Sequence, residues 1–305
     1  MDPTSGICHI IDGGLSTQLE SQGVDLKSHP KLWTAGLLSS PSGRSQILLA
    51  HQNFVKAGAD IILTSSYQAS ASLSNSALKQ SVDLALSCKG AQVYLSLGPY
   101  GATLADGSEY TGIYPPTTTA SSLKTFHLTR LTSLLSSEPS IKGLAFETIP
   151  SAFELNVILD ILNEEPFKNY PAWITFSSPD GLRTCSGELF SDLLLDSILP
   201  NFSKATEPRY VGLNCVHPSC VIPFLDVVLK DYDEKVLKGV VVYPNNGGVW
   251  NSERRCWEDS DSVVGFCDEA VVWRDRIWEK GGEAFIGGCC STDERTIRAL
   301  KEKLK

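Results

Sequence analysis

Eight short apolar runs recur along the chain, each closed by a turn signal and most followed by a longer amphipathic segment. They lie at 7–12 (ICHIID), 60–66 (DIILTSS), 92–100 (QVYLSLGPY) and 143–148 (GLAFET). The other four are 172–178 (AWITFSS), 210–215 (YVGLNC), 239–245 (GVVVYPN) and 284–290 (AFIGGCC). Their hydrophobicity is continuous rather than alternating, which predicts strands covered on both faces. Helices are predicted between them. In 45–60, Ile47, Leu48, His51, Phe54, Val55 and Gly58 fall near one face; 153–165 and 220–232 behave similarly. The last segment, 291–305, opens on Ser291 with Glu294 three residues on, the capping-box spacing, and runs from acidic to basic as a helix dipole favours.

Strands alternating with helices over 305 residues, without a break in composition, predict a (β/α)8 TIM barrel as a single domain over 1–305. Such barrels take roughly 250 residues, leaving room for insertions. The Gly-, Thr- and Pro-rich stretch 101–122 is the expected insertion, placed over the exit of the third strand. A doubly wound sheet is the alternative, but no G-x-G-x-x-G follows the first run.

Charge and cysteine usage narrow the function. A formal net charge of −9 with no basic cluster argues against nucleic acid as a partner. No apolar window approaches a membrane span, and the N-terminus lacks the pattern of a signal peptide. Nine irregularly spaced cysteines in such a chain point to the reducing cytoplasm, where neighbouring thiols suggest metal binding or catalysis rather than cross-links. No heptad specifies an oligomer.

In a barrel of this kind functional groups sit at the C-terminal ends of the strands. Those ends carry Asp12, Thr64 to Gln68, Glu147 and Thr148, Ser177, Asn214 and Cys215, Pro244 to Asn246, and Cys289 with Cys290. Adjacent cysteines make a poor disulfide. As packing residues they are unremarkable; as metal ligands they lack a third, and Cys215 on the sixth strand can reach them across the barrel mouth. Three thiolates suit zinc, and a fourth position left to substrate marks a catalytic site. The Gly287–Gly288 pair is expected to bend the backbone so that both thiols face one ion.

The segments DGGLSTQLE with Asp12, FETIP with Glu147, GLNCVHP with Cys215, YPNNGGVW and GGCCST together resemble the homocysteine S-methyltransferases, in the branch that uses S-methylmethionine or S-adenosylmethionine. They span residues 11 to 292 in the family's order. The resemblance implies a zinc-dependent barrel enzyme that moves a methyl group from a sulfonium donor to L-homocysteine, giving L-methionine. It implies zinc ligands at Cys215, Cys289 and Cys290, and amino-group contacts at Asp12 and Glu147. Gly13 and Thr64 are implied partners of the substrate carboxylate, and Asn214 is either a substrate ligand or a support for the metal loop. Here NNGG at 245–248 departs from the small and acidic residues that relatives often carry, as the resemblance implies. Selenocysteine would use the same acceptor chemistry.

Carboxylates and aromatic faces attract a sulfonium, and Tyr67, Tyr243 and Trp250 stand near strand exits. His217, before Pro218, is read as structural. His51, the remaining cysteines and the other tryptophans are read as packing or surface, and 258–261 (EDSD) as a solvated loop. The competing functions are a zinc-holding barrel without turnover, which would need no amino-acid pocket, and a thiol-redox protein, which would leave Cys215 without a role.

Overall fold

The computed structural model describes residues 6–26, 32–69, 73–135, 140–230, 232–251, 256–258 and 262–305, the side chains of 249–251 and 256–258 excepted. All eight predicted strands form, six of them shorter than their apolar runs. They are β1 (Cys8–Ile10), β2 (Ile61–Leu63), β3 (Gln92–Leu97), β4 (Gly143–Ile149), β5 (Ala172–Phe176), β6 (Arg209–Asn214), β7 (Gly239–Tyr243) and, after a two-stranded hairpin of β8 (Val249–Asn251) and β9 (Cys256–Glu258), β10 (Glu283–Ile286). The main sheet is parallel throughout, in the order β1-β10-β7-β6-β5-β4-β3-β2. A parallel bridge from Ile11 to Ile61 joins its two ends, so the TIM barrel is confirmed. The hairpin has no counterpart in the predicted elements.

Four helices start where a serine side chain takes up a free N–H. Ser40, Ser74, Ser151 and Ser262 each accept from the backbone three residues on. Gly58, at φ 104°, ends helix Pro41–Ala57 in the left-handed conformation that glycine adopts without strain. The capping box expected at Ser291 does not form. Ser291 has φ 61°, incompatible with the extended backbone of an N-cap, and Asp293 caps helix Glu294–Leu304 instead.

Two apolar clusters form. The larger fills the space between strands and helices. The smaller fills the barrel itself and is rich in rings: Tyr94, Trp173, Tyr210, Tyr243 and Phe285. Tyr94 stacks on Trp173 at 4.6 Å, and Tyr210 meets Phe285 at 4.5 Å. Glycine makes room for the plug: a Cβ on Gly143, beside Tyr94 in register, would lie 2.2 Å from that ring. The plug closes the barrel from below and gives the polar mouth a rigid floor.

Candidate active site

Three sulfurs meet at the mouth. The Sγ atoms of Cys215, Cys289 and Cys290 all lie within 4.8 Å of one another, and Cys215 and Cys290 are 3.5 Å apart. Tetrahedral zinc with bonds of about 2.3 Å places its sulfurs about 3.8 Å apart, so this donor set fits the ion. Hydrogen bonds from Cys289 and Cys290 hold the Cys215 thiol well below the ordinary thiol range.

The backbone that brings them together is strained where the ligands sit. Cys215 has φ 52°, and Thr148 at the end of β4 has φ 60°. Such conformations cost on the order of 1–3 kcal/mol each in non-glycine residues and cluster at functional sites. Gly287 and Gly288 are not left-handed, so they serve differently from the sequence expectation. They permit close approach: a Cβ on Gly288 would lie 2.4 Å from Thr292 Oγ1, and one on Gly287 2.8 Å from the Asp12 carbonyl. Gly14 is equally constrained, because its Cβ would fall 2.3 Å from the Cys289 carbonyl.

The loop after β7 holds the metal loop by main chain. Cys289 N–H donates to the Pro244 carbonyl at 2.8 Å, and Asn246 N–H to the Cys290 carbonyl at 3.1 Å. Asn245 N–H reaches the Val216 carbonyl at 2.9 Å, tying the same loop to the residue after Cys215. These contacts use main-chain atoms, so they do not depend on which side chains stand at 245 and 246.

Two carboxylates are buried beside the thiols. Asp12 Oδ2 accepts from Leu63 N–H at 2.9 Å, and burial, reinforced by the Glu147 charge, pushes its carboxyl well above the usual range. Glu147 accepts from the Ser96 hydroxyl, and burial raises it to about 7. Thr64 Oγ1 lies between Ser66 Oγ at 2.7 Å and Ser96 N–H at 3.0 Å, so it braces the residue that holds Glu147. Gly13 packs where a Cβ would meet Phe54 at 2.9 Å.

Asn214 is bound into the same framework. Its Oδ1 accepts from Thr148 N–H at 2.6 Å and Thr175 Oγ1 at 2.7 Å, and its Nδ2 donates to Thr148 Oγ1 at 2.8 Å. Through Thr175 and the Tyr243 hydroxyl, 2.9 Å apart, it continues to Trp173 Nε1, 3.2 Å from that hydroxyl. Tyr243 therefore belongs to the barrel interior and not to the rim. His217 Nδ1 accepts from Ser219 N–H at 3.2 Å, a structural role as expected. The side chains of Trp250 and Trp257 lie outside the described residues, as do residues 259–261.

The insertion supplies two groups that the sequence reading did not single out. Tyr110 brings its hydroxyl within 3.2 Å of Cys215 Sγ. Beside it Glu109 has a buried Oε2, and its carbonyl accepts from Ser177 Oγ at 2.9 Å. The short Ser-Glu-Tyr stretch between Gly107 and Gly112 is the only local signal that marks them. The insertion is fastened further along, where the Tyr114 hydroxyl and Tyr100 N–H both bind Glu154. His127 pairs with that carboxylate at 2.8 Å, and Arg130 ties the cluster to the Tyr67 and Gly98 carbonyls.

Residues 9–304 match the profile of the homocysteine S-methyltransferase family. The chain belongs to that family. It is therefore a methyltransferase-class enzyme. It is 36% identical over 328 residues to homocysteine S-methyltransferase 1 of Zea mays, covering 99% of this chain and 95% of that protein. Selenocysteine Se-methyltransferase of Brassica oleracea var. italica is 35% identical, with 97% of this chain and 88% of that protein covered. Among solved structures, the metallated homocysteine methyltransferase MmuM of Escherichia coli superposes with a TM-score of 0.75 at 26% identity, over 98% of this chain and 96% of that one. Among the described residues no helix is long and apolar enough to cross a membrane.

Proposed function

We propose that this protein transfers a methyl group from a sulfonium donor, S-methylmethionine or S-adenosylmethionine, to L-homocysteine, giving L-methionine. The observation that carries this reading is the meeting of Cys215, Cys289 and Cys290 at one point beside two buried carboxylates. Cys215, Cys289 and Cys290 would hold one zinc ion, whose Lewis acidity would lower the pKa of a substrate thiol and so keep its sulfur nucleophilic near neutral pH.

The chain's own residues do the positioning. Asp12 and Glu147 receive the substrate ammonium, whose charge restores the ionisation that burial opposes. The backbone at Gly13 and the hydroxyl of Thr64 face the substrate carboxylate. Asn214 holds Thr148 and so sets the wall of the pocket. The residues align acceptor sulfur, methyl carbon and donor sulfur in a line; the C–S bond that breaks leaves its electron pair on the donor, which departs as a neutral thioether. Alignment of this kind lowers a barrier by several kcal/mol. The whole of 1–305 acts as one barrel domain, with the 101–122 insertion over the donor side. A cytoplasmic setting suits a centre made of free thiols.

The test incubates purified protein with L-homocysteine or L-selenocysteine and each candidate donor, with and without a chelator, and follows the methylated product. Zinc-dependent methionine is expected. No product from any donor would refute the reading.

A further inference from the structure

Glu109 is one of three charged residues, with Arg130 and Glu294, that keep a buried polar atom without a hydrogen-bond partner among the described residues. Its Oε2 is buried and has no hydrogen-bond partner. Among the described residues no lysine, arginine or histidine forms an ion pair with it. A buried carboxylate oxygen left this way is costly unless something else approaches it. The backbone gives it no freedom to leave. Its carbonyl is held by Ser177 at the exit of β5, and its N–H lies where a Cβ on Gly101 would come within 2.7 Å.

Its surroundings describe what should approach. The next residue, Tyr110, touches Cys215 Sγ, so Glu109 stands at the edge of the three-sulfur cluster. The Tyr67 ring, packed over Gly98, borders the same space, and the Glu109 charge is felt at its phenol. One carboxylate and two aromatic rings beside a nucleophile's position form a seat for a cation that carries no N–H donors. Such a cation is recognised by charge and by ring faces, not by hydrogen bonds.

We propose that Glu109, flanked by Tyr67 and Tyr110, is the seat of the donor's sulfonium centre. This rests on the function proposed above and names the residue that selects a cationic methyl donor over a neutral one. The physics also fixes which kinetic constant responds. The sulfonium charge disappears as the methyl group leaves, so the carboxylate stabilises bound donor more than it stabilises the transition state. Its contribution therefore lies in donor binding, and the neutral thioether product is released from the attraction that held the substrate.

The test uses the zinc-loaded protein and an isosteric pair. S-methylmethionine carries a dimethylsulfonium; homoleucine replaces that centre by an uncharged isopropyl group of the same shape. Titrated without homocysteine, so that no turnover occurs, wild-type protein should bind S-methylmethionine at least about tenfold more tightly, which is ~1.4 kcal/mol. E109Q should abolish that preference, raise the donor KM about tenfold, leave the homocysteine KM within about twofold, and not lower kcat. E109D, which keeps the charge, should retain the preference. Equal wild-type affinity for the two ligands, a preference that survives in E109Q, or a parallel loss of both ligands would overturn the seat. Absence of methyl transfer by the wild type would instead refute the underlying function, so the two failures are distinguishable.

Discussion

The two ends of the barrel treat negative charge in opposite ways. At the N-terminal end Asp60 accepts from Ile10 N–H at 2.8 Å and pairs with Lys301 at 3.0 Å and Lys305 at 2.6 Å. Burial there pushes its carboxyl up, but the hydrogen bonds from Lys305, Ile10 and Lys301 outweigh it, and the group ends below its ordinary value. At the C-terminal end Asp12 and Glu147 accept only from a backbone N–H and neutral hydroxyls, and both are raised. Among the described residues neither carboxylate has a lysine or arginine ion-pair partner. The lower end is a completed structural arrangement. The mouth is short of positive charge, a deficit that a divalent metal, a substrate ammonium and a sulfonium would make up under the proposed function.

Removing the centre of that asymmetry should have the largest effect. C215A, C289A or C290A is expected to lower zinc affinity and methyl transfer together by at least on the order of a hundredfold, read by metal analysis and product formation. Retention of one zinc per chain and of turnover by any of the three would break the comparison at its centre.

Next come the carboxylates proposed to receive the substrate ammonium. E147Q removes a charge-assisted hydrogen bond worth roughly 1.5–3 kcal/mol and should raise the homocysteine KM by about 10- to 100-fold. Its pH signature is separate. Glu147 is raised from 4.5 unfolded to about 7 folded, so the native state holds the extra proton between those values. Its contribution to stability is present below pH 4.5 and is lost as pH rises through about 7, a change of at most about 3 kcal/mol. Melting curves of E147Q without substrate should be flatter across that window, and an unchanged profile would show that this carboxyl is not shifted.

A smaller effect is expected from G14A, whose added methyl collides with the Cys289 carbonyl. Overpacking of this kind costs about 1–3 kcal/mol, and here it should also loosen zinc, which a mutation elsewhere in the core would not do. The smallest effect belongs to the lower end. D60N should cost about 1 kcal/mol or less, since its lysine partners are about a third exposed, and should leave both KM values unchanged. A loss of substrate affinity in D60N would erase the distinction between the two ends.

The Glu154 cluster shows how far primary structure reaches. Glu154 lies on a helix whose periodicity is plain, yet nothing in its spacing says that it binds Tyr114, forty residues earlier, and so pins the insertion. Asn214 is similar: its position at a strand end is evident, while the engagement of its amide by Thr148 and Thr175 is not. Tyr243 was expected at the rim and lies in the plug, because a side chain at a strand's end can face either way and only the barrel's closure decides which.

The chain's pattern alone determined eight buried strands, their alternation with helices, and hence a barrel with chemistry at one end. It also determined which thiols stand at strand exits, because strand ends follow from where apolar runs stop. Local information suffices for these features: periodicity, capping residues and turn chemistry act over a few neighbours. Tertiary structure decided the rest. The closing Ile11–Ile61 bridge, the approach of Tyr110 to Cys215, and the lack of a lysine or arginine partner for Asp12 and Glu147 among the described residues depend on positions dozens to hundreds of residues apart. A carboxylate's partners are set by distances in space, and chain spacing does not encode those distances until the barrel has closed.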